Sequence, residues 1–448
     1  MERPPGPRGS AIGSLRALRR DPIGLFTLAS SYGDVSYLRL PRMPLYVLNH
    51  PDLVRGVLVE NHRDFRKGPT MDAAKRMLGE ESLLTSEGEH HKRQRRLIQP
   101  IFHHDRIAGY GEAMVELAER TAGRWSDGRT LDLHAEMARL TLAIVGRVLF
   151  DVDVETEQAR EIGEALTETL AQFNRVFSPF LQVSERLPIP ANKRFQRARD
   201  VFDRTVFRMI ERRRSAGLDG DDLLSLLLRA QEGGVGMTDE QVRDEAITLF
   251  LAGHETTSNA LTWTWLLLSE HPDAEAILHA ELDDALGDRT PTVADVPNLP
   301  FTDAVLRESM RRYPPAWAIG RRALVNQEAG GYVIPAGSVL VVSPWLLHHD
   351  PRWWNDPWAF SPERWLPPDH GRPRQAYLPF GAGPRMCIGE DFAWLEAVLL
   401  LATIGRRWRF AHDPSHRVQL QPVVTLRPRN GMRMTAHARR RGRAHGAA

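Results

Sequence analysis

Cys387 is the only cysteine among 448 residues. It stands in Phe380-Gly381-Ala382-Gly383-Pro384-Arg385-Met386-Cys387-Ile388-Gly389, a glycine- and proline-rich loop that runs straight into the apolar helical stretch Phe392 to Ile404. Glycines let the backbone approach the sulfur closely. The amides and positive dipole end of the following helix favour thiolate over thiol, and a thiolate held in that way can ligate iron. Without a second cysteine no intramolecular disulfide forms, which fits a reducing compartment.

Three other groupings could do chemistry or hold it in place. Glu255-Thr256-Thr257 sets a carboxyl beside two hydroxyls, the side chains that move protons. Glu308 and Arg311 stand three apart, the spacing of an ion pair along one helix face. His91 and Arg95 stand four apart and so share a face.

The elements that must position these groups are mostly helical. From about residue 105 to 289, Leu, Ala, Glu and Arg recur at three-to-four spacing, as in Tyr110 to Trp125 and Leu131 to Phe150. Thr238 and Gln241 form a capping-box pattern that opens a helix lasting until His271-Pro272. At about 32 residues this helix spans about 48 Å. Its apolar middle, which contains Glu255, must run through the core. Strand character is confined to a predicted hairpin of Val35 to Leu40 with Pro44 to Leu48, the runs Tyr332 to Ile334 and Ser338 to Val342, and a tail strand at Val423 to Leu426. Pro51 opens a helix through Leu58, and turn-rich coil fills Asp350 to Phe380. The expected class is mainly α with a small β lobe.

The loop resembles the haem-binding signature of the cytochrome P450 family, with Phe380, Gly383, Arg385, Cys387 and Gly389 at the family's spacing. Ala252-Gly253-His254-Glu255-Thr256-Thr257 is similar to its oxygen-activation segment. Glu308 and Arg311 match its Glu-x-x-Arg pair, with Arg364 of Pro362-Glu363-Arg364-Trp365 as third partner, and His91 to Arg96 matches its first haem-contacting helix. The resemblance implies a cytochrome P450 fold with the long central helix over a haem b and the cysteine loop on the proximal side. It makes Cys387 the axial ligand and Phe380 a shield for the sulfur, with Gly389 completing the loop. Arg385, His91, Arg95, Arg321 and His348 become contacts of the haem carboxylates. Arg322 is open as an alternative to Arg321, and His349 departs from the family's usual Arg. Ala252 and Gly253 would lie over the haem, Gly253 leaving room for dioxygen, while Glu255 and Thr256 deliver protons. The Glu308, Arg311 and Arg364 triad is structural, locking the coil before the loop.

The segments that line the substrate pocket in that family offer Leu83, Leu84, Leu249, Trp317 and Ile319 here, an apolar set suited to a lipophilic substrate such as a terpenoid, fatty acid, steroid or polyketide. About 60 residues follow Cys387 and carry no flavin or nicotinamide motif. The resemblance therefore implies a separate redox partner, a ferredoxin or a flavodoxin with its reductase, docked on Lys92, Arg93, Arg96 and Arg385. The expected reaction is hydroxylation or epoxidation by a monooxygenase. A haem-thiolate peroxygenase or rearrangement enzyme, and a non-catalytic haem sensor, are the competing readings.

With 59 basic and 57 acidic residues spread along the chain, nothing marks a nucleic-acid surface. Nowhere do eighteen apolar residues run together, so a cytoplasmic protein without a membrane anchor is expected. One domain over 1–448 is expected, with residues 1–10 and about 436–448 disordered.

Overall fold

The computed structural model of the protein describes residues 3–439 apart from 42, 151–188, 218–219, 221, 233 and 369–370. Helices dominate, and the largest sheet among the described residues is a mixed one of five strands. Its order is β1 (Val35–Leu40), β2 (Met43–Leu48), β5 (Val339–Val342), β4 (Ile319–Ala323), β3 (Phe65–Lys67). The predicted hairpin is present, with Val35 opposite Leu48 and Leu40 opposite Met43. A second antiparallel pair near the C-terminus joins β6 (Leu420–Pro422) to β7 (Leu426–Pro428). Val423, Val424 and Thr425, expected as strand, are instead the turn between them, because the strand pattern also fits a tight apolar turn.

Five helices position the site: α1 (Gly88–Ile98), α2 (Leu133–Phe150), α3 (Asp239–Glu270), α4 (Pro300–Arg312) and α5 (Glu390–Gly405). The capping box opens α3 as expected: Gln241 N donates to Thr238 Oγ1 and Thr238 N to Gln241 Oε1, at 3.2 and 3.0 Å. From Gln241 to Leu251 every residue of α3 is buried, so the helix is the axis of the main hydrophobic core, which gathers Ala74 to Ala436. The run Leu131 to Phe150 divides, since Arg129–Asp132 is a strand and the helix starts at Leu133. The helix from Pro51 ends at Arg55 and widens into a π-turn over Gly56–Glu60.

Both expected disordered ends need correction where they are described. Pro5 O accepts from Tyr37 N at 2.9 Å and Pro4 is buried, so the leader packs against β1. Arg433–Ala438 is a strand paired with Trp408–His412, and Arg439 bridges to Asp283 at 2.7 Å. Residues 440–448 lie outside the described residues. No described helix is long and apolar enough to cross a membrane.

Candidate active site around Cys387

The cysteine loop is shaped by two glycines with positive φ, Gly381 at 75° and Gly383 at 72°. Gly383 is also pressed against the π-turn: a Cβ there would lie 2.0 Å from Leu58 O. Within the loop Met386 N donates to Gly383 O and Cys387 N to Phe380 O, at 2.9 and 3.0 Å. From α1, Arg95 Nη1 donates to Met386 O at 2.8 Å. The Phe380 ring sits 6.2 Å from Trp394 of α5, edge-on. The left-handed backbone and the Leu58 contact together make Gly383→Ala cost about 2 kcal/mol or more. A lower melting temperature and reduced haem content per chain are expected, read by thermal melting and pyridine haemochrome.

The Cys387 side chain is accessible, yet surrounding protein is dense enough that burial pushes its thiol up to about 11. The sulfur therefore lies on the wall of an interior cavity and not on the outer surface. The Gly389 amide and the Arg95 charge act in the opposite direction, and Glu390 adds to the rise. The expected pull of the helix-start amide toward thiolate is present but burial outweighs it in the protein alone, and a bound cation would draw the proton off.

Beside the loop the structure gathers a cluster of cations. Arg385 pairs with Glu87 and donates to Phe65 O at 3.3 Å, while its buried Nη1 has no partner. His91 is held neutral, its pKa lowered to about 3 by burial and then by Lys67, Arg385, Arg95 and Arg321. Burial and then Arg385 lower Arg321 to about 10. In the β3–β4 register Lys67 lies opposite Arg321 and Arg66 opposite Arg322, so it is Arg321 that joins the cluster. Lys67, lowered to about 7 chiefly by burial, donates to Leu83 O and Ser86 O at 2.9 and 2.8 Å. It was missed in the sequence, where only its being one of four lysines in an arginine-rich chain sets it apart.

His348 does not join this cluster. It is fully buried, its Nε2 accepts from Leu378 N at 2.8 Å, and its ring lies against Tyr377. Burial holds it neutral, so it supports the coil entering the loop and is withdrawn as a contact of the haem carboxylates. Gly389 caps α5 with φ −97°, and a Cβ there would only touch the Phe102 ring.

On α3, Ala252 is exposed and Gly253 and Thr256 are partly so, within a helix buried on either side. This face lines an interior space. Thr256 Oγ1 donates to Ala252 O at 2.6 Å, a local bond that competes with the helix ladder and favours a bend. Gly253 serves packing: a Cβ would meet Val145 of α2 at 2.9 Å, and Thr141 Oγ1 donates to His254 O across the same contact at 2.9 Å. Glu255 faces elsewhere, since it is buried with Thr425 Oγ1 donating to its Oε1 at 2.8 Å. Acid and alcohol are neighbours in sequence but look into different surroundings, because successive helical residues point about 100° apart.

The triad is closed. Arg311 Nε and Nη2 donate to the two Glu308 oxygens at 2.9 and 2.7 Å. Arg364 Nε, Ser361 N and Trp365 Nε1 complete the carboxylate's partners.

The Cytochrome P450 family model matches residues 4–433. The chain belongs to the cytochrome P450 family. It is 40% identical to cyclooctatin synthase of Streptomyces melanosporofaciens, covering 91% of this chain and 90% of that one. It is 40% identical to cyclooctat-9-en-7-ol 5-monooxygenase of the same organism, over 90% and 88%, and 35% identical to pentalenene oxygenase of Streptomyces avermitilis, over 96% of each. The crystal structure of the cytochrome P450DA haem domain superposes with a TM-score of 0.87 at 27% identity, covering 98% of both chains.

The expected fold is thereby shown, and this P450 is a monooxygenase that uses a haem with cysteine thiolate ligation. The residues present suit that group: the single thiol lies on an interior wall beside His91, Arg95, Arg321, Arg385 and Lys67, and Glu87 is a near carboxylate of Lys67, Arg321 and Arg385. A cation surplus of this kind suits the two carboxylates of a haem.

Of the expected pocket residues in this P450, Leu83, Leu84 and Ile319 are partly buried and Leu249 is buried on α3. Trp317 is corrected: it packs in the core of the β lobe, its ring stacked on Phe26 at 5.9 Å and its Nε1 donating to Val423 O at 3.2 Å. An apolar residue beside a pocket segment satisfies core and pocket patterns alike. The expected docking patch also changes, because the Arg385 side chain is only 15% exposed and Arg93 donates to Val235 O at 2.9 Å.

Proposed function

We propose that this P450 inserts one atom of dioxygen into a terpenoid carbon skeleton, working as one domain in the cytoplasm with haem b. The observation that carries the reading is Cys387, the chain's sole thiol, on an interior wall flanked by the buried cation cluster. The terpenoid class rests on the likeness to cyclooctatin synthase, cyclooctat-9-en-7-ol 5-monooxygenase and pentalenene oxygenase, together with the apolar Leu83, Leu84, Leu249 and Ile319.

In this reading Cys387 would hold the haem iron through its thiolate. Arg95, Arg321 and Arg385 hold the haem carboxylates, with neutral His91 donating a hydrogen bond, and Phe380 keeps water from the sulfur. When bound, the haem would supply the binding and activation of dioxygen, a chemistry that thiolate ligation would promote. The protein supplies the rest. Ala252 keeps the facing surface of α3 low, the apolar residues fix the substrate by desolvation, and Thr256 presents a hydroxyl through which protons pass, with Glu255 on the buried side of the same helical turn as the acid that supplies them. Glu308, Arg311 and Arg364 keep the loop in register.

Electrons come from a ferredoxin, or a flavodoxin, with its reductase. A groove of about 1450 Å³ opens along the loop and includes Arg307, Arg374, Gly381, Met386 and Glu390. No α3 residue lines it among the described residues, which places it on the loop's other side and supports entry there.

The test is binding of cyclic diterpene and sesquiterpene hydrocarbons and alcohols, read by the shift of the Soret band on substrate addition, followed by product analysis with a surrogate ferredoxin and reductase. A preference for linear fatty acids over all terpenoids would overturn the substrate class. Thr256→Ala is expected to leave haem content unchanged while roughly a tenfold smaller share of electrons reaches product, the remainder appearing as hydrogen peroxide.

A further inference from the structure

Glu255 is tied to a part of the chain remote in sequence. Thr425 Oγ1 donates to Glu255 Oε1 at 2.8 Å. The same hydroxyl accepts from Asn259 Nδ2 at 3.1 Å, and Asn259 Oδ1 lies 3.1 Å from His134 Nε2. An amide oxygen only accepts, so that His134 nitrogen carries the proton. Every donor in the series therefore points inward, from His134 through Asn259 and Thr425 to the carboxylate. Arg427 Nη1 stands 3.8 Å from Glu255 Oε1.

The arrangement is built to be rigid. Glu255 and Asn259 stand one turn apart on α3 and meet Thr425 together. The β6–β7 turn that presents Thr425 is pinned by two indoles: Trp263 Nε1 donates to Leu426 O at 3.0 Å and Trp317 Nε1 to Val423 O at 3.2 Å. Leu426 N adds a bond to Pro315 O at 2.9 Å. Asn259 is fully buried and Thr425 and Glu255 nearly so, whereas His134, in the first turn of α2 beside the exposed Asp132, is only partly buried.

We propose that Thr425 is a positioning residue for proton delivery: at the inner end of a donor chain starting at His134, it orients Glu255 and determines when that carboxyl carries a proton. The inference rests on the reading of Glu255 and Thr256 as the proton-delivery pair. Burial raises the Glu255 pKa, whereas the Thr425 hydrogen bond and the Arg427 charge oppose the rise. The charged and titratable groups facing the carboxyl are Arg427 from β7 and, through Asn259, His134 from α2. Without the Thr425 hydroxyl, burial acts less opposed and Glu255 keeps its proton to higher pH. A hydrogen bond to a charged group is worth enough to move that midpoint by about one pH unit, a tenfold change in proton affinity.

The experiment uses the haem-loaded full chain with no organic substrate. Infrared difference spectra against Glu255→Gln isolate the carbonyl-stretch band of protonated Glu255, and its pH titration is compared in wild type, Thr425→Val and Thr425→Ser. The expected result is an upward shift of about one pH unit in Thr425→Val and recovery in Thr425→Ser. Ferredoxin-fed oxygen consumption should slow several-fold in Thr425→Val and recover likewise. Should Thr425→Val fail to bind haem, His134→Phe at the accessible end of the chain is expected to move the band the same way by less. An unmoved midpoint, or an unchanged oxygen-consumption rate despite a moved midpoint, overturns the proposal. Neither measurement needs a terpenoid, so a wrong substrate class leaves the outcome intact.

Discussion

Replacing Cys387 with Ser is expected to abolish essentially all turnover while leaving a folded protein. The reduced, carbon-monoxide-bound wild type should show the strongly red-shifted Soret band of thiolate ligation, and the variant should lose it. The physical basis is that a hydroxyl in the same burial has a far higher pKa than a thiol, which burial already raises to about 11. A bound cation can draw the proton from sulfur but leaves serine a weak neutral donor. The loop should survive, since the Cys387 backbone keeps its bond to Phe380 O and a serine hydroxyl can still accept from the Gly389 amide that faces the sulfur. A variant retaining the red-shifted band would place the ligand elsewhere and sink the assignment.

Arg311→Ala should be the most damaging change away from the sulfur. All five guanidinium donors are used: Nε and one Nη2 proton on Glu308, the other on Ala359 O, and the two Nη1 protons on His348 O and Pro357 O. Both Arg311 and Glu308 are fully buried. Truncation leaves a buried carboxylate short of its main partner and three carbonyls without donors, a loss of about 3–5 kcal/mol, which is a large part of the stability of an ordinary domain. Low soluble yield, a reduced denaturation midpoint and haem loss are expected. Arg311→Lys should rescue little, because an ammonium cannot reproduce the planar fork. A variant with wild-type melting and haem content would show the triad to be dispensable.

The same triad predicts an acid limit. Burial alone would raise the Glu308 pKa, but Arg311, then Arg364 and the Ser361 amide, hold it below the usual Glu value. A depressed carboxylate stabilises the fold above its unfolded pKa, and the contribution fades as pH falls through the folded value. Stability should thus decline below the ordinary glutamate range, and Glu308→Gln should flatten that part of the pH–stability curve.

Much of the site was legible because its chemistry is local. The cysteine loop needs glycines where φ is positive and where Leu58 O presses in, and these leave a mark at fixed spacing. The 32-residue α3 announces itself by its capping box and its apolar middle, since hydrogen bonding and burial along one helix depend on neighbours three and four residues away. Glu308 and Arg311 are one turn apart, and only Arg364 had to be placed by resemblance.

What the residues alone could not settle is what lies across the space they face. Glu255 sits beside Thr256 in sequence yet is claimed by Thr425 on a distant turn. His348 and Trp317 went into supporting cores, and Lys67 entered the cation cluster through strand pairing with β4. The acidity of Cys387 was legible only in part, because the helix-start amide that favours its thiolate can be read from sequence but the opposing burial cannot. Local spacing determines which groups share a face of one element. Only packing determines what that face meets, and desolvation, which dominates the titration of His91, Arg321 and Cys387, is a property of everything packed around a group.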